Sequence, residues 1–216
     1  MNVEREKQLA AAAAADMVEG GMRVGLGTGS TVAYFLHELA RRNLKTMHVA
    51  TSPRTADAAR ALGIVVEPFN VLDRLDLVVD GADQISRSGW LIKGGGGAQT
   101  REKIVAASAD RFVVIADSTK LVDRLRAPVP LELLAFGLAS TLRLLGNTTL
   151  RDVGHSPDGG VICDFHGDVS DPAALAQWLS STPGVIGHGL FAPELVSEVL
   201  VGTGNTVQRS SSGGTQ

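Results

Sequence analysis

A single cysteine, Cys163, occurs in 216 residues. One chain can therefore build neither an internal disulfide nor a cysteine-based zinc site. Cys163 follows Val161 and Ile162 in an apolar run, where a thiol serves as a small buried hydrophobe. Basic charge is not in excess either: 20 Lys and Arg stand against 23 Asp and Glu, for a net charge of -3 and a pI near 5.9. That balance lacks the electrostatic footprint of a nucleic-acid binder. No apolar run reaches the roughly 18 residues a membrane-spanning helix needs. The N-terminal stretch has acidic residues and alanines where a secretory signal would have a basic segment and a leucine-rich core. A soluble, cytoplasmic protein is expected, with neither nucleic acid nor membrane as partner. The five histidines, His37, His48, His155, His166 and His188, are too scattered for a metal site and read as structural. There is no internal repeat.

What is present is a chain that is 44% hydrophobic, ample for a buried core. Its first half alternates apolar runs with amphipathic ones. Helices are predicted over 4–19, 31–42, 53–62 and 100–109, and strands over 22–27, 46–50, 64–66, 75–79 and 112–116. Ser52 is a natural N-cap for the third helix, and Pro53 fits its first turn. Such alternation predicts an α/β domain with a largely parallel sheet. Near Leu125 the character changes. Pro128 and Pro130 punctuate the chain, a helix is predicted over 131–145, and Pro157-Asp158-Gly159-Gly160 reads as a hairpin turn. A strand over 161–165, a helix over 171–179 and a strand over 187–191 complete a small α+β domain. The expected division is 1–124 plus about 202–216 for the larger domain and 125–201 for the smaller, with 198–201 turning back toward the first. The Ser/Gly-rich stretch 209–216 is expected to be a mobile tail.

Three segments carry chemistry. In Gly25-Leu26-Gly27-Thr28-Gly29-Ser30-Thr31, small residues lead from a strand into a helix, so backbone N–H groups can approach an oxyanion. The segment matches neither the dinucleotide fingerprint nor a P-loop, and taken alone it is equally a tight βα connection. In Val78-Val79-Asp80-Gly81-Ala82-Asp83, two carboxylates follow a buried strand. They form either a solvated turn or a pair of acceptors for sugar hydroxyls, one of them able to move protons. In the segment from Lys93 through Gly94, Gly95, Gly96 and Gly97 to Glu102, four glycines carry a heavy conformational cost that suits close backbone approach. Glu102 on the first helical turn is either a dipole-favoured glutamate or a base kept ionised by the same dipole. Combined at the C-terminal ends of strands in one sheet, the three segments supply an acid/base kit for enolisation without metal ligands.

Together GLGTGSTV (25–32), VVDGADQI (78–85), LIKGGGGAQTREKI (91–104) and IADSTK (115–120) closely resemble type A ribose-5-phosphate isomerases, in that family's order and spacing. Weaker similarity runs on through PGVIGHGLFA (183–192) and LVGT (200–203). The resemblance implies a Rossmann-like domain with a smaller ferredoxin-like one, and a homo-oligomer, here expected to be a homodimer. It implies interconversion of ribose 5-phosphate and ribulose 5-phosphate through a cis-enediolate, in the pentose phosphate pathway, with no metal or other cofactor. By the same resemblance, Glu102 is the base shuttling a proton between C1 and C2. Lys93 stabilises charge on the enediolate oxygen. Asp80 assists ring opening and proton movement between oxygens, and Asp83 binds hydroxyls. Substrate contacts are carried over to Thr28, Gly29, Ser30, Thr31, Gly81, Ala82, Gly94, Gly95, Gly96 and Lys120.

The departures from the family pattern are Gln84 in place of a usual Glu, Gly97 where alanine is common, Ser52-Pro53-Arg54, and the turn at 156–160. None removes a proposed catalytic group, and Arg54 reads as surface. The rival readings are a non-catalytic sugar-phosphate sensor and another sugar-phosphate enzyme of similar architecture. The sensor has no need of Glu102 and Lys93 together. A deaminase wants a histidine beside its acids, and none can be placed there.

Overall fold

The computed structural model describes residues 2–211. Its chain divides into two compact units, 1–82 with 101–121 and 194–216, and 83–100 with 122–193.

The first unit is built on a six-stranded sheet in the order β2 (Met47–Ala50), β1 (Arg23–Leu26), β3 (Leu77–Gly81), β6 (Phe112–Asp117), β13 (Glu198–Thr203), β14 (Thr206–Ser211). All neighbours are parallel except β13 and β14, which form a hairpin. Phe112–Asp117 is buried along its whole length, as befits an interior strand of a parallel sheet. Helix α1 (Val3–Ala15) buries Ala10, Ala11, Ala14 and Ala15. Alanines let a helix backbone come close, and at Gly202 on β13 any Cβ would collide with the carbonyl of Glu6. Helix α2 (Ser30–Arg42) buries Val32, Phe35, Leu36 and Leu39, a stripe at helical spacing. Helix α3 (Pro53–Ala61) starts with Ser52 Oγ accepting from the Thr55 N–H at 3.1 Å, the cap expected from the sequence.

Buried Glu6 on α1 joins three parts of this unit. Its carboxylate accepts from Ser118 N (3.0 Å), Ser118 Oγ (2.7 Å) and Gly204 N (2.9 Å). The Ser118 hydroxyl and then the two N–H groups hold the carboxyl below its usual range. A depressed folded pKa adds stability that is present above the unfolded value, near 4.5, and lost as pH falls through the lower folded value. Glu6→Gln is therefore expected to lower Tm at pH 7 and to match the wild-type Tm near pH 3; an equal deficit at both pH values would refute the ionic role.

The second unit carries two small sheets. One has the order β11 (Val185–His188), β8 (Val129–Leu133), β10 (Val161–Phe165), β9 (Thr148–Leu150), all antiparallel. Helices α5 (Leu138–Leu145) and α6 (Pro172–Ser181) contribute Leu145, Leu175 and Leu179 to a core with Val129, Leu131, Leu133 and Phe165. The other sheet has the order β12 (Leu190–Phe191), β5 (Leu91–Ile92), β4 (Gln84–Ser86), β7 (Leu121–Val122). The architecture is the expected one: an α/β domain with a mostly parallel sheet, and a smaller α+β one.

Several local expectations need correction. The helix expected over 131–145 is a strand and then a shorter helix, because Leu131 and Leu133 pair into the middle of a sheet despite their helical preference. Pro130 is accommodated there because the pairing with β11 begins only at Leu131. Residues 64–66 are not a strand; Glu67 N to His48 O at 2.8 Å and the His48 ring to Val65 O at 3.0 Å tie this stretch to β2. The first helix ends at Ala15, where bonds from Met17 N to Ala14 O and from Val18 N to Ala15 O tighten the turn. Residues 209–211 belong to β14; the rest of the expected tail, 212–216, lies outside the described residues. Residues 83–100 group with the second unit, since β4 and β5 pair with each other and β5 with β12. Residues 198–201 do turn back to the first unit, pairing with β6.

Candidate active site

In the first unit the strand order reverses between β1 and β3: the chain runs outward from β1 to β2 on one side, and from β3 through β6 to β13 on the other. Open α/β sheets bind ligands at the carboxyl ends of the strands flanking such a switch. Thr28 follows β1 here, and Asp80 is the penultimate residue of β3.

Asp80 is fully buried. An ionised carboxylate at such depth costs several kcal/mol unless donors compensate it. Its Oδ1 accepts from Thr28 N at 3.0 Å and Gly81 N at 2.7 Å. Position 27 has to be glycine, because a Cβ there would overlap the Asp80 carboxyl group. The Thr28 hydroxyl lies 2.9 Å from Thr51 Oγ1, 2.9 Å from Ser52 Oγ and 3.1 Å from Thr55 Oγ1. Its one proton goes to Ser52 Oγ. Thr28 thus shapes the loop from within, and Thr51, Ser52 and Thr55 complete a hydroxyl cluster of which the sequence reading saw only the Ser52 cap.

Gly29 caps α2 with φ of 133°, a conformation that favours glycine. No side chain caps the helix, so the first-turn N–H groups at exposed Ser30 and buried Thr31 face outward with the positive end of the dipole. Past β6, a 3-10 turn (Ser118–Lys120) brings half-buried Lys120 to the same sheet edge. Asp117 caps that turn, accepting from Thr119 N at 3.0 Å and from the Thr119 hydroxyl. Helix α4 (Gln99–Ala107) carries Glu102, 4% exposed, in its first turn. Its neighbour Lys103 is half-buried, and burial pushes its pKa down to about 7.

In the second unit Lys93 follows β5 and is 2% exposed. Its N–H donates to Gly189 O at 2.8 Å, and Nζ lies over the Phe191 ring, 5.4 Å from the centroid. An aromatic face supports a buried ammonium. Gly94, buried with φ of 101°, starts the glycine turn; a side chain there would strike Gln99 and Pro130. Gly97 N closes the turn onto Gly94 O at 2.9 Å. Asp83 is exposed, unlike Asp80, and its Oδ2 accepts from Gly95 N at 2.7 Å. The expectation that all three chemical segments end strands of one parallel sheet is corrected here. The first two do, whereas Lys93 ends a strand of a small antiparallel sheet.

Nothing in the sequence points to Arg151. Its guanidinium reaches Gly94 O at 2.9 Å and Gly95 O at 3.0 Å, and forms a fork with Asp164 at 2.7 and 2.8 Å. A lone arginine after a short strand gives no sequence signal of this. Asp117 lies within the IADSTK motif, where the sequence gives no sign of its capping role. The histidines behave as structural groups where bonds are seen: His48 bridges Thr46 Oγ1 and Val65 O, and His188 bridges Ser180 Oγ and Leu190 N. Among the described residues, no three His, Cys, Asp or Glu side chains are grouped to hold a metal ion, and no helix is long and apolar enough to cross a membrane.

Comparisons with known proteins agree with one another. The sequence model of the family Ribose 5-phosphate isomerase A (phosphoriboisomerase A) matches residues 47–206. The ribose-5-phosphate isomerase A of Rhodopseudomonas palustris strain HaA2 is 47% identical over 232 aligned positions, which cover 97% of this chain and all of that protein. The solved ribose 5-phosphate isomerase A of Methanocaldococcus jannaschii gives a TM-score of 0.89 at 32% identity, covering 95% of this chain and 97% of its own. A D-ribose-5-phosphate isomerase in complex with phospho-erythronic acid gives 0.91 at 34% identity, covering 98% and 100%.

Proposed function

The chain belongs to the ribose 5-phosphate isomerase A family, and from that premise we propose that it interconverts ribose 5-phosphate and ribulose 5-phosphate through a cis-enediolate. The observation that carries the reading is a buried carboxylate and a buried ammonium, Glu102 and Lys93, at the two ends of one glycine-rich segment. Few soluble chains bury such groups without a task for them.

In the forward direction Glu102 removes the proton from C2 of the open-chain aldose. The electron pair moves into a C1–C2 double bond, and negative charge collects on O1, where Lys93 stabilises it. A proton passes from O2 to O1, and protonated Glu102 returns its proton to C1, leaving the C2 ketone. No atom is gained or lost. Asp80 assists ring opening and the transfer between oxygens. Its Oδ1 is anchored by two N–H groups, which fixes the carboxyl plane. Asp83 binds sugar hydroxyls beside the glycine turn. The phosphate is held by N–H groups at the start of α2, at Gly29, Ser30 and Thr31, and by Lys120. Gly81, Ala82, Gly94, Gly95 and Gly96 supply backbone that can pass close to substrate, and Thr28 holds the loop shape. The reaction needs no metal or other cofactor and sits in the non-oxidative branch of the pentose phosphate pathway, in the cytoplasm. A homodimer is the proposed assembly: Phe136, 87% exposed, and Leu134 and Ile186 are apolar surface that a second copy would cover.

A coupled assay for ketose formation from ribose 5-phosphate tests the reading. Turnover is expected, unchanged by EDTA, and sedimentation of the same sample should return the mass of two chains. A folded protein that forms no ketose would overturn it.

A further inference from the structure

The peptide linking Gly94 to Gly95 is gripped at both poles. On one side its N–H donates to Asp83 Oδ2 at 2.7 Å. On the other its carbonyl accepts from Arg151 Nη1 at 2.9 Å, and the same nitrogen reaches the next carbonyl, Gly95 O, at 3.0 Å. The Gly94 oxygen also takes the Gly97 N–H, so both of its lone pairs are used. A run of four glycines cannot fix itself. Each glycine loses more backbone freedom on ordering than any other residue, by roughly 0.5–1 kcal/mol relative to alanine. Side chains elsewhere have to hold the turn.

Arg151 is equipped for this. Its Nε and Nη2 form a fork on Asp164 at 2.8 and 2.7 Å, and Asp164 lies on β10. The Arg151 backbone is itself tied to that strand, N to Ile162 O at 3.1 Å. The chain of contacts thus runs from exposed Asp83 through the peptide to half-buried Arg151 and Asp164, and the neighbouring carboxylates, Asp164 above all, hold the guanidinium firmly protonated. Only arginine offers a rigid fork to a carboxylate together with a third nitrogen for two carbonyls.

We propose that Arg151 is a positioning residue for isomerisation: by orienting the Gly94–Gly95 peptide it sets the direction in which the chain leaves Lys93. The inference rests on the isomerase reading above. It deepens that reading by adding a residue that touches no substrate, and Asp164 is its support.

The test compares wild type with Arg151→Met, Arg151→Lys and Asp164→Asn in the ribose 5-phosphate assay, with phospho-erythronate as a competitive probe. Arg151→Met is expected to lower kcat by about 10- to 100-fold, the scale of a displaced catalytic group, while KM and the inhibition constant for phospho-erythronate move less than threefold. Arg151→Lys should fail to rescue, since one ammonium cannot replace the fork. Asp164→Asn should give a milder loss of kcat, and adding it to Arg151→Met should cost nothing more. If Arg151→Met does not fold, Arg151→Lys and Asp164→Asn carry the same comparison. Folded variants with kcat within twofold of wild type would overturn the proposal. So would a loss that disappears when assays run well below each variant's Tm. A wild-type protein with no isomerase activity would instead remove the reading on which it stands.

Discussion

Glu102→Gln is expected to bind ribose 5-phosphate with a KM within about threefold of wild type and to turn it over about a thousandfold more slowly, the middle of the range for loss of a general base. Glutamine keeps the shape and length of the side chain, so the first turn of α4 has no steric reason to change. What it removes is the capacity to accept a proton. The variant is therefore expected to fold and to bind substrate as the wild type does. That pairing, intact folding and binding with lost turnover, separates a base from a helix-start glutamate. Stability that falls along with activity would indicate a structural residue, and near-normal kcat would remove Glu102 from the chemistry. Lys103 offers a control. Burial pushes its pKa down to about 7, so Lys103→Met in the Glu102→Gln background shows whether an inflection near neutral pH comes from the lysine.

How much of this was legible from sequence depends on whether local or distant residues decide the outcome. The parallel sheet was legible because its strands are short apolar runs between amphipathic helices, and α2 shows its buried stripe at helical spacing. The Ser52 cap and Pro53 were legible because a cap is a contact between near neighbours. Val129–Leu133 was not: Leu131, Glu132 and Leu133 favour a helix in isolation, and only pairing with β10 and β11 makes them a strand. Glu132 shows the same thing, being buried in mid-strand with its carboxylate bonded to Ser156 from a distant turn.

The site divides along the same line. Residue types and spacing marked Asp80, Lys93 and Glu102, but the contrast between the two aspartates was hidden. Asp80 is buried against a glycine that makes room for it, and Asp83 is exposed and bonded to the glycine turn. Arg151 stands 57 positions from Gly94, beyond any pattern a single sequence displays. Catalytic groups announce themselves by chemistry. Residues that hold them in place are found only by distance.

Lys93→Met should have the second large effect, a fall in kcat of about 100- to 1000-fold, as when one preorganised donor to a developing oxyanion is removed. That loss corresponds to roughly 3–4 kcal/mol of transition-state stabilisation. Methionine has similar length and is apolar, so the 2%-exposed position stays filled and the Phe191 ring keeps a neighbour. The Tm of the variant is measured beside its kcat, so that the loss is read on folded enzyme. Arginine should not restore turnover, because a planar guanidinium needs more room than the compact ammonium. The enediolate charge exists only during reaction, so the loss belongs in kcat and not in KM. A Lys93→Met enzyme with kcat within fivefold of wild type would mean that another group carries the charge on O1.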